Sequence, residues 1–187
     1  MIRLNFSSLL FAALALSQAC ITLVSAAELA LDRLYRIQRP SFSFNVTSVD
    51  GNSFNVNAFE GDGTIWILAS GSSEGLFTLN DLKGGRYLSI VGKVAQGSQI
   101  GLAADPFGFR LENVADGTDK YRISPFSAAS LTIQKSTCSE ELVLQTSPGQ
   151  GEDEWLFNML SGDMVDVVPA DRVSAYFKAG EGSEGGE

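Results

Sequence analysis

Carboxylates are the side chains of this sequence that could carry acid–base chemistry, because the chain has 22 acidic residues and no histidine. The absence of His removes the usual general base at neutral pH, the Ser-His-Asp and Cys-His pairs, and the commonest metal ligand. The densest carboxylate cluster is Glu152-Asp153-Glu154, and a carboxylate pair is the machinery of glycoside hydrolysis. Because this cluster follows a Gly-rich stretch, we expect a solvated run of charge there. The sequence therefore predicts a protein without catalytic residues, a cofactor or a metal site.

The two cysteines, Cys20 and Cys138, are too few for a Cys-rich zinc site or a scaffold of several disulfides. Cys138 has polar neighbours and no adjacent positive charge that would activate its thiol. We expect an inert loop thiol, and the alternative is an intermolecular disulfide that links two chains into a dimer.

The net charge of −9 argues against binding to the phosphate backbone of nucleic acids. The length of 187 residues fits one domain with short additions. These properties favour a compact acidic protein that binds a partner over one that transforms a substrate.

Residues 1–26 are typical of a secretory signal peptide. Arg3 is their only charged residue, Leu9 to Leu16 form an apolar core, and Val24-Ser25-Ala26 supply small residues for cleavage. The apolar run is shorter than the roughly 20 residues of a spanning helix, which disfavours a membrane anchor. A lipoprotein site at Cys20 is disfavoured because Ser17 stands where an aliphatic residue is wanted. We therefore predict an extracellular protein with no membrane association after cleavage.

Cleavage after residue 26 removes Cys20 and deepens the net negative charge by one unit, because Arg3 is lost. Cys138 then has no partner within the chain. Asn45-Val46-Thr47 is an N-glycosylation sequon, so we predict a glycan on Asn45 if the secreting cell is eukaryotic.

From Tyr35 to Phe157 the chain repeats three times, with a period of 42–46 residues. Each unit contains four triplets in which two large apolar residues flank a third residue, the period-2 pattern of strands with one buried face. The triplets lie at 35–37, 44–46, 54–56 and 66–68, then at 77–79, 88–90, 100–102 and 109–111, and finally at 121–123, 131–133, 142–144 and 155–157. Turn residues such as Asp50-Gly51-Asn52 and Lys83-Gly84-Gly85 separate them. The sequence therefore predicts an all-β domain over residues 27–160.

This pattern resembles the β-trefoil, in which three four-stranded units close a six-stranded barrel capped by three hairpins. The alternative is a β-sandwich built from similar strands, and the equal spacing of the three units favours the trefoil. The resemblance implies that aromatic residues of the first and fourth strands fill the barrel, namely Tyr35, Trp66, Phe77, Phe109, Tyr121 and Trp155.

The segment from Phe77 to Leu88 is similar to the start of a unit in fungal ricin-B-type lectins. In that family an Asp in the second strand binds galactose, and a Gln lies two residues before the fourth-strand aromatic. The corresponding residues here are Asn45, Ser89 and Thr132 in the second strands. Two residues before the fourth-strand aromatics stand Thr64, Phe107 and Asp153. The resemblance thus implies the scaffold without the family's sugar-binding determinants.

Trp66 and Trp155 are predicted core residues. For ligand contacts the sequence offers Asn80, Asp81 and Tyr87 on one loop edge. The resulting hypothesis is a secreted, non-catalytic binding protein that takes carbohydrate, as the resemblance implies.

The alternative partner is an extracellular protein, bound as a secreted protease inhibitor or fungal effector binds its target. Protein-binding trefoils display one or two loops from this barrel, and a rigid barrel reduces the cost of ordering those loops. The candidate loops are residues 59–63 and 147–154.

Residues 161–187 follow the third unit. We expect residues 161–178 to pack on the barrel as a short extension, because they include Val165, Tyr176 and Phe177. The alternative is a peptide that a partner recognises. Residues 179–187 are acidic and Gly-rich, a composition typical of disorder.

Overall fold

The computed structural model of the chain describes residues 29–50, 53–114, 118–148 and 151–160. Twelve β-strands follow one another in these ranges. They are β1 (Arg33–Arg39), β2 (Phe42–Ser48), β3 (Phe54–Phe59), β4 (Ile65–Ser70), β5 (Phe77–Asp81), β6 (Tyr87–Ile90), β7 (Ile100–Ala103), β8 (Phe109–Asn113), β9 (Lys120–Pro125), β10 (Leu131–Lys135), β11 (Leu142–Thr146) and β12 (Glu154–Met159). The predicted signal peptide, C-terminal extension and acidic tail lie outside the described residues, and they stay predictions.

Each of the twelve triplets lies within one strand, so the predicted set of strands is confirmed. β1 shows why the pattern predicts them. Tyr35 and Ile37 are buried, whereas Arg36 between them is half-buried on the opposite face. Alternate side chains of a strand point to opposite faces, and burial of one face holds each strand in its register.

Six strands close a barrel through a ring of antiparallel pairs. β1 pairs with β12 and β4, β5 pairs with β4 and β8, and β9 pairs with β8 and β12. The other six form the hairpins β2–β3, β6–β7 and β10–β11, which contact one another through the pairs Asn55–Gly101, Asn57–Glu141 and Gln99–Val143. Each of the three units contributes two strands to the barrel and one capping hairpin, which makes the fold a β-trefoil, as predicted.

Aromatic residues fill the centre of the barrel. Trp66, Trp155 and Phe44 are fully buried, and the Phe44 ring lies edge-on to both indoles, with centroid distances of 6.4 Å to Trp66 and 4.6 Å to Trp155. The prediction that both tryptophans are core residues is confirmed. Phe77 is the exception among the predicted core aromatics. It begins β5 at the end of the barrel and is only half-buried.

In the described ranges no helix is long and apolar enough to cross a bilayer.

Candidate functional site

The first hairpin, β2–β3, presents a polar face opposite its core face. Its register places Asn45 opposite Asn57, and Ser43 opposite Phe59. Phe44 and Val46 point to the core instead, because residues of the two faces alternate along the strand. The polar face therefore carries two amide side chains with an aromatic ring at its end, which we call the first-hairpin face.

Hydrogen bonds orient the two amides of the first-hairpin face. The Asn57 Nδ2 donates to Thr47 Oγ1 at 2.6 Å, and the Asn45 Nδ2 donates to the Ser43 carbonyl oxygen at 2.9 Å. The Asn57 Oδ1 is buried and has no hydrogen-bond partner. Because an unmet buried acceptor costs free energy, this oxygen is a strained point of the first-hairpin face.

Phe59 ends β3 with 38% of its surface exposed, and the loop that follows it is held tightly. Ser43 Oγ donates to the Gly61 carbonyl oxygen at 2.6 Å, and Thr64 Oγ1 accepts the Val46 N–H at 3.0 Å. At Gly63, where φ is +74°, a Cβ would lie 2.5 Å from the Ser43 Cβ, so only glycine fits. These contacts hold the loop after Phe59 against β2.

The second hairpin, β6–β7, lacks this combination. Ser89 faces Gly101 and Tyr87 faces Ala103. A Cβ at Gly101 would lie 2.7 Å from the Phe54 carbonyl oxygen. Backbone packing against the first hairpin therefore excludes a side chain at the position that Asn57 occupies in the first unit.

The third hairpin, β10–β11, has polar side chains that are turned inward. Thr132 and Gln134 are each only 3% exposed. Gln134 Nε2 donates to Thr132 Oγ1 at 2.9 Å, and Thr132 Oγ1 donates to Asp153 Oδ2 at 3.2 Å. Its polar groups are bonded to one another and are not presented to a ligand.

Asp153 anchors this inward network and is completely buried. Its Oδ2 lies 3.2 Å from Arg122 Nε and accepts a hydrogen bond from Ser147 Oγ at 2.5 Å. Burial alone would raise the pKa of Asp153, but the Ser147 hydrogen bond and the Arg122 charge outweigh it and hold this pKa below its ordinary value. The expectation of a solvated charge run at 152–154 is thus wrong for Asp153, because the positive charge of Arg122 on β9 offsets the cost of removing its carboxylate from water.

Glu154, which follows Asp153, is half-buried and lies 3.7 Å from Arg122 Nη2 and 3.8 Å from Lys120 Nζ. Of the three carboxylates, only Glu152 is exposed as expected.

The residues predicted for ligand contact occupy two different environments. Asn80 and Tyr87 are direct partners across β5 and β6, and both are half-buried. Asp81 is 4% exposed, and its carboxylate accepts the N–H groups of Lys83 at 3.0 Å and Gly84 at 2.9 Å. The Asp81 carboxylate therefore stabilises the turn, and the ligand role of Asn80, Asp81 and Tyr87 stays a prediction.

A cleft of about 740 Å³ opens between the first and third units. Its floor is Leu156 of β12, flanked in register by Gln38 of β1 and Lys120 of β9. The β1–β2 turn forms one wall with Arg39 and Phe42. Ligand pockets in proteins span about 300–1,000 Å³, so the cleft has the size of a binding site.

The two loops that the sequence singled out for protein binding meet at this cleft. Glu60 and Gly61 of the first loop and Gly151 and Glu154 of the second line it together. From the sequence these loops are separate candidates, and in the structure they line two sides of one cavity.

Two further predicted sites lie on the surface of the capping hairpins. Asn45 is half-buried in β2, and glycosylation of its Nδ2 stays a prediction. Cys138 is an exposed free cysteine in the β10–β11 connection, and a disulfide-linked dimer also stays a prediction. Among the described residues there is no group of three or more side chains that could hold a metal ion.

Asn57 is not among the candidate ligand residues predicted from the sequence, and Phe59 is predicted only as part of the 59–63 loop, for protein binding. Asn57 becomes noticeable only when the β2–β3 register places it opposite Asn45. Phe59 lies three residues beyond the triplet at 54–56 and ends β3, next to the loop that follows. A β2–β3 register predicted from the 50–52 turn would have placed Asn57 opposite Asn45 and Phe59 opposite Ser43.

No family model matches the chain, and a search of curated proteins finds no match. Solved structures do match it. The ricin B-like lectin of Macrolepiota procera, in complex with lactose, is 17% identical, with a TM-score of 0.60 over 71% of this chain and 99% of the lectin. The Rhizoctonia solani agglutinin is 12% identical, with a TM-score of 0.60 over 72% of this chain and 100% of the agglutinin.

An enzyme also contains a similar domain. The exo-β-1,3-galactanase of Clostridium thermocellum is 15% identical, with a TM-score of 0.59 over 71% of this chain but only 31% of the enzyme. At these identities the likeness concerns the fold, and it establishes that this chain has a ricin-B-like β-trefoil fold.

Proposed function

We propose that this protein is a secreted, non-catalytic carbohydrate-binding protein that holds a sugar residue on its first-hairpin face. The observation that carries the proposal is the pairing of Asn45 and Asn57 beside the exposed ring of Phe59. Of the three hairpins in the described ranges, only this one presents both amides and an exposed aromatic ring. The lectins of similar fold support the same class of ligand.

The chemistry of these side chains suits a pyranose ring. An amide oxygen accepts and an amide nitrogen donates, so two adjacent amides match the adjacent hydroxyls of a sugar. An exposed aromatic ring packs against the C–H face of that sugar, which removes apolar surface from water. Asn45 stands at the position of the galactose-binding Asp in the resembling family. It keeps an acceptor oxygen there and lacks the negative charge.

The carboxylates support a non-catalytic role. Glycosidases need two carboxyl groups that flank one bond, about 5–9.5 Å apart. Here Asp153 is completely buried in an ion pair and Glu154 is paired with two basic side chains, so the densest carboxylate cluster serves the structure of the third unit.

The test is binding of the wild-type protein and of Phe59→Ala to immobilised plant, fungal and animal glycans, followed by calorimetry with the best ligand. We expect Phe59→Ala to weaken binding at least tenfold. Phe126→Ala is the matched control, because Phe126 is also an exposed aromatic residue (54%) but lies outside the hairpin faces. It should stay within twofold of wild type.

Tyr87→Ala in the same assay decides whether the predicted Asn80–Tyr87 pair contributes a second contact. A glycan on Asn45 would cover the first-hairpin face, so the assay uses protein from a host without N-glycosylation and compares it with the secreted form. Silence of the unglycosylated wild-type protein on every glycan would refute the proposed function.

A further inference from the structure

We propose that the cleft between the first and third units is a second saccharide subsite, which takes the next residues of an uncharged oligosaccharide. This inference rests on the proposed function and extends it from one sugar residue to a chain. The balance of positive and negative side chains in the cleft favours an uncharged ligand over a charged one.

The walls of the cleft carry equal numbers of opposite charges. Arg39 and Lys120 are positive, and Glu60 and Glu154 are negative. A strongly anionic or cationic ligand would therefore meet repulsion from one pair. Sugar hydroxyls donate and accept, and planar carboxylate and guanidinium groups can each bond two adjacent hydroxyls. The lining thus matches an uncharged polyhydroxyl ligand.

Most of these wall groups are already held in place. Arg39 Nη1 donates to the Glu152 carbonyl oxygen at 2.5 Å, and its guanidinium lies 5.6 Å from the centre of the Trp155 ring. Glu154 is held between Lys120 and Arg122. Groups that are ordered before binding lose less entropy when a ligand arrives, so the cleft is prepared for a polar ligand.

The cleft also offers an apolar surface. The half-buried Phe42 ring lies in its wall with Lys135 Nζ 5.1 Å from the ring centre, and Leu156 forms the floor. In the cleft, as on the first-hairpin face, an aromatic ring lies next to polar groups that can each bond two adjacent hydroxyls. Both surfaces therefore favour the same chemical class.

The two surfaces are neighbours along the chain. Ser43 lines the cleft and lies opposite Phe59 in the β2–β3 register. Glu60 and Gly61, which directly follow Phe59, line the cleft as well. The 60–63 loop is therefore the wall shared by both subsites, and a sugar chain bound at Phe59 continues past this loop into the cleft.

The experiment measures Kd by calorimetry for a monosaccharide and for its uncharged di-, tri- and tetrasaccharides. We expect the wild-type protein to gain at least fivefold in affinity between the mono- and the trisaccharide. Lys120→Ala and Glu60→Ala should reduce that ratio to below twofold. Their matched controls, Lys93→Ala and Glu112→Ala, are exposed residues outside the cleft and should keep the wild-type ratio.

The outcomes separate this inference from the proposed function. If Phe59→Ala weakens the monosaccharide but chain length brings no gain, the cleft proposal fails and the first-hairpin face stands. If Phe59→Ala has no effect while Lys120→Ala lowers the chain-length gain, the cleft stands and the first-hairpin face fails.

The salt dependence checks the class of ligand. An uncharged ligand predicts a Kd that changes less than twofold between 50 and 500 mM NaCl, since screening acts on charged partners. A preferred ligand that is an acidic glycan or a basic peptide, with a Kd rising tenfold over this range, would overturn the proposal in favour of an ionic or protein partner.

Discussion

The first and third hairpins occupy equivalent places in the trefoil but use their polar faces in opposite ways. In the first, Asn45 and Asn57 face each other beside the exposed Phe59. In the third, Thr132 takes the place of Asn45 and is buried against Asp153. The same strand pattern can therefore leave its polar side chains on the outer face or bury them, and the two units differ in the residue two positions before the fourth-strand tryptophan.

The residue two positions before the fourth-strand tryptophan is Thr64 in the first unit and Asp153 in the third. Thr64 accepts a single backbone N–H, from Val46, and leaves the polar face of its hairpin open. Asp153 accepts bonds from Thr132 and Ser147 and pairs with Arg122. A carboxylate has more acceptor sites than a hydroxyl, so Asp153 can bind several groups of the third unit at once.

The strongest way to break this difference is Asp153→Asn. The change removes the charge that Arg122, Thr132 and Ser147 share, so we expect the free energy of unfolding to fall by about 2–3 kcal/mol in urea denaturation. The control is Asp62→Asn, whose ion pair with Arg36 is 86% exposed on the Asp side and which should cost less than about 0.5 kcal/mol. Equal effects of the two variants would contradict the assigned role of Asp153.

Acid should remove the same stabilisation. Because the pKa of Asp153 is lower in the folded than in the unfolded chain, its contribution is fully present above the unfolded value of about 3.9 and is lost as the pH falls below it. The gap in unfolding free energy between wild type and Asp153→Asn should therefore narrow between pH 5 and pH 2.5. A gap that stays constant over this range would show that the carboxylate charge is not the stabilising feature.

A smaller effect distinguishes the two tryptophans. Trp155 Nε1 donates to the Ile133 carbonyl oxygen at 2.8 Å, whereas Trp66 Nε1 is buried without a partner. Trp155→Phe should therefore destabilise the protein by about 1 kcal/mol more than Trp66→Phe, since the two changes remove equal volume but only one breaks a hydrogen bond. Thermal denaturation of both variants measures the difference, and the reverse order would count against the comparison.

The smallest effect on stability is expected at the first-hairpin face. Phe59→Ala should cost no more than about 0.5–1 kcal/mol, because the ring is partly exposed. The variant should therefore keep its fold, which circular dichroism with urea denaturation checks, so that the tenfold weakening proposed for the glycan assay would report a lost contact and not unfolding. A loss of several kcal/mol would place Phe59 with the structural residues of the third hairpin.

Much of the fold could be predicted because its determinants are local and repeated. The period-2 triplets depend on the pleat of a strand, and their equal spacing in three copies favoured the β-trefoil, which the pattern resembles, over a β-sandwich. The site was less predictable. The sequence did not show that the Asp81 carboxylate accepts the N–H groups of a turn two and three residues away, and its ligand role stays a prediction.

The sequence by itself determined the twelve strands, the buried tryptophans and the absence of the histidine needed for common catalytic pairs. Tertiary structure decided which polar residues lie on an outer face and which are buried. Asp153 is buried because Arg122, on a different strand, compensates its charge, and the cleft exists because β1, β9 and β12 lie side by side. Burial, charge compensation and concavity depend on residues far apart in the chain, so they arise only when the barrel closes.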